Sequence, residues 1–346
     1  MKLTFPVLTL CKGGAQRVLA EIANRMTRRG HQVIVLMPEA GAIEYPVESE
    51  IRRLKRPHII EEDYPTADVI VSNYFTTVAA AQAASERGKG KHVRYSLCFE
   101  PPVLPENSKS YSSYLETSRL IVVSQWQSDL MQLLYGINSL VVPPGVDDIF
   151  ANRNGRVSKS HLTISAILRR PEGFALHRGQ EYLIAELDRI LSLRADVQVH
   201  YITPPFEYAS SPTLQRMSGT GRYRFFAPAD DVELAACYNL ADVFVTPSTY
   251  ESFCMPGLEA MRAGAALVAI YCGGNMDYCR PNTNCVLSYR HERRLGDDIL
   301  LLLDDSAMRA RIAAQGERDA REWTWERSAD LFEAALHSLE GAAARI

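Results

Sequence analysis

The chain has 346 residues, more than twice the roughly 150 of a single domain, so two domains are expected. Hydrophobic residues make up 47% and charged residues 23%, and 38 Lys and Arg against 41 Asp and Glu leave a net charge of −3. That balance excludes disordered, collagen-like and disulfide-scaffold chains, and it supplies no overall basic field for nucleic acid.

Apolar runs such as 34–37 and 299–303 fall far short of the ~20 residues of a membrane-spanning helix. The opening MKLTFPVLTLCKGG reaches its Gly-Gly turn too early for a secretory signal, so a cytoplasmic location is expected. The seven cysteines are odd in number, contain no CxxC, and at 272, 279 and 285 lack a zinc spacing. Reduced thiols in a core are expected.

Taken in chain order, KLTFPVLTL reads as a strand. GGAQRVLAEIANRMTRRG reads as a helix, with Val18, Leu19, Ile22, Ala23 and Met26 on one face and Gly30 as its stop. HQVIVLM is the next buried strand, and ADVIVSN, HVRYSLC, SRLIVVS and LVVPPGV continue the series. Residues 143–161, rich in Pro, Gly, Asn and Ser, read as a linker. A second series follows: HLTISAIL, a helix from about 179 to 193, VQVHYIT, RYRFFA, the helical DVELAACYNLA, DVFVTPS, a helix from about 256 to 264, and ALVAIYCGG. Strands alternating with helices predict parallel sheets. The expected division is an N-terminal Rossmann-like domain over 1–148 and a second over 149–327, with a closing helix from about 328 to 346 returning to the first. In such folds ligands bind beyond the carboxyl ends of the strands, and the expected site is a cleft across which the two α/β domains face each other.

The densest chemical signal is PSTYESFCMPGLEAMRAGAALVAIYCGG, 247–274. A strand runs into a polar loop, and Pro256 stands where a helix begins. The amides of Ser252, Phe253, Cys254 and Met255 at that start are placed to receive a phosphate at the positive end of the helix dipole. Glu251 in the loop and Glu259, expected in the first turn, are carboxylates suited to gripping sugar hydroxyls. Asp147-Asp148, Asp297-Asp298 and Asp304-Asp305 do not sit at strand ends, so no metal site is expected.

These residues resemble the Glu-x7-Glu motif of the family 4 retaining glycosyltransferases, which have the GT-B fold. The likeness extends to GGAQRVLAEIANRMTRRGHQVIVL, to SRLIVVSQWQSDLMQLLYG with VVPPGVDDIF, to the run leading into the motif, and to the closing WTWERSADLFEAAL. It implies a retaining transferase moving a sugar from a nucleotide diphosphate sugar, a UDP-sugar on family frequency, to an acceptor hydroxyl. No metal and no separate cofactor are implied. A hydrolase or epimerase of the same fold, or a non-catalytic nucleotide-sugar binder, are the alternatives.

By the resemblance, Glu259 binds the ribose and Glu251 a hydroxyl of the donor sugar. In ILRRPEGFALHRG, Arg178 takes the place of the usual Lys, and Arg170, or else Arg169, that of the Arg on the diphosphate. Gly13 and Gly14 match the family's first loop, and Phe226 lies where the base pocket is built. In GGNMDY, Asp277 fills the acidic place four residues after the first Gly and is expected on the acceptor side. Where many relatives carry a His-Asp pair this chain reads YSLCFEPP, so the sugar-holding His is absent, and Phe99 and Glu100 are expected to line the acceptor side. Glu100 is also the first domain's one candidate base should the chemistry invert. The basic segments 51–58 and 86–94 are expected to be a solvated face, with peripheral contact to the inner membrane face as the alternative.

Overall fold

A computed structural model describes residues 1–105, 107–116, 119–153, 160–172 and 176–341. The inner part of the expected linker, 154–159, and the last five residues of the expected closing helix lie outside the described residues.

In chain order the elements are β1 (Lys2–Pro6), α1 (Gly14–Arg28), β2 (Gln32–Pro38), β3 (Glu50–Leu54), β4 (Val69–Ser72), α2 (Phe75–Glu86), β5 (Lys91–Ser96), α3 (Ser108–Ser113), β6 (Leu120–Val122), α4 (Gln125–Tyr135) and β7 (Leu140–Val141). They continue with β8 (Leu162–Ile167), α5 (Gln180–Leu193), β9 (Val197–Ile202), α6 (Pro205–Ser210), α7 (Pro212–Gly219), β10 (Arg224–Phe226) and α8 (Asp231–Leu240). The last are β11 (Val243–Thr246), α9 (Met255–Arg262), β12 (Ala266–Ile270), β13 (Cys285–Ser288), α10 (Leu295–Asp304), α11 (Ser306–Ala320) and α12 (Trp325–Gly341). The chain divides into two compact units, Met1–Gly145 with Thr324–Ile346, and Val146–Trp323. These boundaries fall three or four residues before the expected ones.

Among the described residues, unit 1 holds a seven-stranded sheet in the order β3-β2-β1-β4-β5-β6-β7, and unit 2 a six-stranded sheet in the order β10-β9-β8-β11-β12-β13. The paired strands are parallel throughout. Parallel strands are covered on both faces, which is why β2 and β12 are near-continuous apolar runs, buried along almost their whole length. Strand order reverses between β1 and β4 and again between β8 and β11, and such a switch point opens a crevice at the carboxyl ends.

Helix α1 buries the face its periodicity marks, Val18, Leu19, Ile22, Ala23 and Met26. It ends as Gly30 takes φ +87° and the His31 amide donates to the Met26 carbonyl at 3.0 Å. α12 packs in unit 1: Phe332 is fully buried, 6.1 Å from the Phe5 ring and 5.4 Å from Tyr95, and the Ser328 hydroxyl donates to the Pro143 carbonyl at 2.6 Å. The core of unit 2 runs through Ile164, Leu183, Tyr201, Val245, Val268, Ile299 and Leu302.

Candidate functional site: the switch point of unit 2

β8 and β11 are neighbours, so the segment following β8 and the loop 247–254 leave the sheet side by side. The loop ends in Cys254, which caps α9 with φ +66°, a left-handed conformation uncommon outside glycine. α9 begins at Met255, with Pro256 at its second position and no acidic side chain in its first turn. Glu259 is therefore the helix's fifth residue, one position beyond the first turn assigned from sequence. It is buried, and its Oε2 accepts a hydrogen bond from the Tyr238 hydroxyl of α8 at 2.9 Å.

Glu251 meets Arg178. The guanidinium Nη1 donates to Glu251 Oε1 at 3.0 Å, and the Ser248 hydroxyl donates to the same oxygen at 3.3 Å. Two further features fix the pair. The Thr249 amide donates to the His177 carbonyl at 2.8 Å, and the Glu251 amide to the Cys272 carbonyl at 2.9 Å. Gly179, next to Arg178, has φ +62°, and a β-carbon there would overlap the Pro247 carbonyl oxygen, so only glycine lets these loops touch. Arg169, Arg178, Ser248, Glu251, Cys254 and Pro256 line one groove.

The two arginines after β8 differ in their commitments. Arg169 donates through Nε to both oxygens of Glu207, at 2.8 and 2.9 Å, and its amide bonds to Gln180. Arg170 gives only its amide to Glu207, at 2.9 Å; its side chain is exposed and donates no hydrogen bond among the described residues. Burial pushes the Glu207 carboxyl up, but the Arg169 guanidinium and the Arg170 amide outweigh it and hold the group below its usual range.

The loop after β12 packs on the motif. The Gly274 amide donates to the Glu251 carbonyl at 3.0 Å, and a β-carbon on Gly274 would overlap the Ser252 carbonyl. Asn275, fully buried, donates to the Ile270 carbonyl at 2.9 Å and accepts from the Cys272 amide at 3.1 Å, while the Tyr278 hydroxyl donates to the Cys254 carbonyl at 2.7 Å. The sequence alone does not mark Asn275 and Tyr278, because nothing local says that 270–278 packs on a loop some twenty residues earlier. Ser252, Phe253 and Met255 are buried, and Phe253 packs on Tyr278 at 5.6 Å. The cysteines carry no disulfide. Burial, and then neighbouring Cys254, push the Cys272 thiol well above its usual range, the opposite of a reactive thiolate. Phe226 closes β10 against His200, 4.9 Å between rings, and Asp277 lies in the short turn Gly274–Asp277 of unit 2.

Unit 1 corrects two expectations. Phe99 and Glu100 do not form an exposed acceptor wall. Phe99 is 2% exposed, packed on Tyr114 and Tyr111. Glu100 is 4% exposed and held by Arg94 Nη2 at 3.2 Å and by the Tyr114 hydroxyl at 2.9 Å. Burial pushes the Glu100 carboxyl up against the pull of Arg94, whose guanidinium lies 3.6 Å from the Tyr114 ring centroid. A carboxylate locked into a buried ion pair is not placed to take a proton from an acceptor. Gly13 and Gly14 open α1, and the Gly13 amide and carbonyl both bond the Tyr45 hydroxyl, at 3.0 and 3.1 Å.

Much of the charge in the basic segments is spent internally. Arg53 donates to the carbonyls of Pro38 and Glu39, Arg56 and Arg87 pair with Asp63 and Glu61, and Lys89 donates to the carbonyls of Glu61 and Glu62. Among the described residues no helix is long and apolar enough to cross a membrane, and no group of three His, Cys, Asp or Glu is arranged to hold a metal ion.

Residues 217–319 match the family model described as glycosyl transferases group 1. Over 114 residues the chain is 36% identical to the D-inositol 3-phosphate glycosyltransferase of Salinispora tropica, covering 32% of this chain and 23% of that one. It is 22% identical to the phosphatidyl-myo-inositol mannosyltransferase of Mycobacterium tuberculosis, covering 96% and 95%. In three dimensions it matches Anabaena Alr3699/HepE, solved in complex with UDP and glucose, with a TM-score of 0.80 over 98% of this chain and all of that one, at 18% identity. The fold is GT-B, and residues 217–319 carry the likeness to group 1 glycosyl transferases. The match spans from a quarter to a half of the length of the first curated relatives. Within the GT-B frame, the paired Arg178 and Glu251 stand at the switch point of unit 2, and Glu251 falls within the matched residues 217–319.

Proposed function

We propose that this chain is a retaining glycosyltransferase, moving a sugar from a nucleotide diphosphate sugar to an acceptor hydroxyl without a metal ion. The observation that carries the reading is the contact of Arg178 with Glu251 at the β8–β11 switch point, in one groove with Cys254 and Pro256 at the start of α9 and with Arg169, which Arg170 directly follows. Two guanidiniums and a helix N-terminus are the right groups to hold a diphosphate and stabilise it as it departs. Glu251 then serves a hydroxyl of the donor sugar, and Glu259, with Tyr238, the ribose. Ser252, Phe253, Cys254 and Met255 contribute backbone beside sugar and phosphate. Phe226 borders the base. UDP is the favoured nucleotide, since structural neighbours were solved with UDP or UDP-glucose.

With Glu100 locked inside unit 1, no base on this chain is assigned to the acceptor. The C1–O bond to the leaving phosphate breaks while the acceptor oxygen bonds C1 on the same face, and the departing phosphate oxygen takes the acceptor proton. Catalysis is then positioning plus electrostatics.

Two measurements test this. In a thermal-shift screen of UDP-, GDP-, dTDP- and ADP-sugars, a UDP-sugar at 100 times its dissociation constant should stabilise by about 2.7 kcal/mol. The anomeric coupling constant of the product, read by NMR with and without excess EDTA, should show retention in both. An inverted anomer, or activity lost in EDTA and restored by Mg²⁺ or Mn²⁺, defeats the mechanism.

A further inference from the structure

Outside the groove just described, unit 2 carries an open pocket of about 540 Å³, lined by Thr249, Tyr271, Tyr289, Arg290, His291 and Arg293. It lies at the carboxyl ends of β12 and β13, since Tyr271 directly follows the one strand and Tyr289 the other. One wall is aromatic. The Tyr271 and Tyr289 rings lie 5.1 Å apart at 31°, and the His291 ring is 5.7 Å from Tyr289 at 36°. The other component is positive charge. Arg290 lies flat on Tyr182, its guanidinium carbon 3.7 Å from the ring centroid, a stacking that orients the group while leaving its N–H edges unused. Neither Arg290 nor Arg293 forms an ion pair or donates a hydrogen bond among the described residues. The nearby carboxylate is turned away: Glu292 Oε2 accepts from the Tyr289 amide at 2.6 Å, closing the turn on itself, and no Asp or Glu lines the pocket.

Each component selects part of a ligand. Aromatic faces hold the C–H face of a pyranose ring, and guanidinium forks hold a carboxylate or phosphate in two parallel hydrogen bonds. A neutral sugar leaves the cations idle, and a bare anion leaves the rings idle. The rings already lie against one another, so no slot between parallel rings remains to sandwich a nucleobase. We propose that this pocket is a second carbohydrate site, separate from the donor groove, that takes a pyranose bearing an anionic group. Thr249 lines it, two residues before Glu251, so its occupant lies against the loop that carries the candidate catalytic carboxylate.

The test is calorimetric titration of the full chain with glucuronate, glucose 6-phosphate, glucose and inorganic phosphate, with UDP present in excess. At least one anionic sugar should bind tenfold or more tightly than both glucose and phosphate, and which one wins identifies the charge read. The double variant Arg290→Ala/Arg293→Ala, and separately Tyr289→Ala, should each weaken that sugar at least tenfold and leave the affinity for UDP unchanged. All three positions are exposed, so the variants should fold. The proposal is overturned if phosphate or glucose binds as well as the anionic sugars, if the variants bind them undiminished, or if UDP displaces them.

Discussion

Glu259 and His92 illustrate how a neighbour sets what a side chain does. Glu259 is buried against the Tyr238 hydroxyl, so removing it has two consequences. Glu259→Ala strips a carboxylate from the proposed ribose site and also removes an acceptor of the Tyr238 hydroxyl. Glu259→Gln keeps an acceptor for Tyr238 and removes only the charge. A hydrogen bond to a charged group contributes roughly 1.5–3 kcal/mol, so Glu259→Gln should weaken free UDP by about tenfold or more at near-normal stability. Undiminished UDP affinity in titration would end the ribose assignment. His92 is buried in β5 between the Ser72 hydroxyl, at 2.7 Å from Nε2, and Gln82 Oε1, at 2.9 Å from Nδ1. Nδ1–H donates and Nε2 accepts, which satisfies the neutral ring. Burial first, then the charges of Arg94 and Arg119, push it down to about 3. The unfolded chain takes up a proton at this His below about pH 6.5 and the folded chain does not. Its contribution is thus complete above that pH and is lost as pH falls from 6.5 toward 3, by at most ~1.4 kcal/mol per unit. Urea unfolding at pH 7 and pH 5 should show a smaller drop in His92→Gln than in the parent chain; equal drops would mean that other groups carry the dependence.

Among the elements, the informative ones are those that end at the switch point. The segments that link β8 to α5 and β11 to α9 meet there, and a single glycine governs their fit. At Gly179, alanine meets two penalties: a positive φ, costing about 1–2 kcal/mol, and overlap with the Pro247 carbonyl. Relief requires moving Arg178 away from Glu251. Gly179→Ala should therefore lower stability and weaken binding of UDP more than of uridine, because the diphosphate is what Arg178 is proposed to hold. Equal losses for nucleotide and nucleoside would place Arg178 elsewhere than on the diphosphate. Gly30, with φ +87° but nothing within 4 Å of the position a methyl group would take, is the contrasting case, where only backbone strain opposes substitution.

The chain as a whole is two units, the first of them discontinuous, because α12 returns to unit 1 after the whole of unit 2 has been traced. Its tie is largely apolar, Phe332 against Phe5 and Tyr95. Charge adds to it at the rim, where Arg29 pairs with Asp330 at 2.7 Å and Glu333 at 3.0 Å. Phe332→Ala opens a cavity in a fully buried site and should cost about 3–5 kcal/mol. Segment-resolved hydrogen exchange should put that loss on β1, β4 and β5 and spare the strands of unit 2. Uniform loss across both sheets would mean that the two units unfold as one.

By itself the sequence determined the two α/β series, the buried face of α1, the helix start near Pro256 and the spacing of Glu251 from Glu259. All of these rest on local signals: apolar period, proline and glycine punctuation, and short-range spacing. It did not single out β3, whose EIRRL is only partly buried, or β13, which is four residues long. Only the tertiary structure decided the partners. Arg169 finds Glu207 across 38 residues and Arg178 finds Glu251 across 73, because strand order brings β9 and β11 to either side of β8. It also turned Glu100 from an exposed acceptor contact into a buried partner of Arg94 and Tyr114. A carboxylate in a sequence carries no record of which cation topology will set beside it, and burial is a property of the assembled unit and not of the residue.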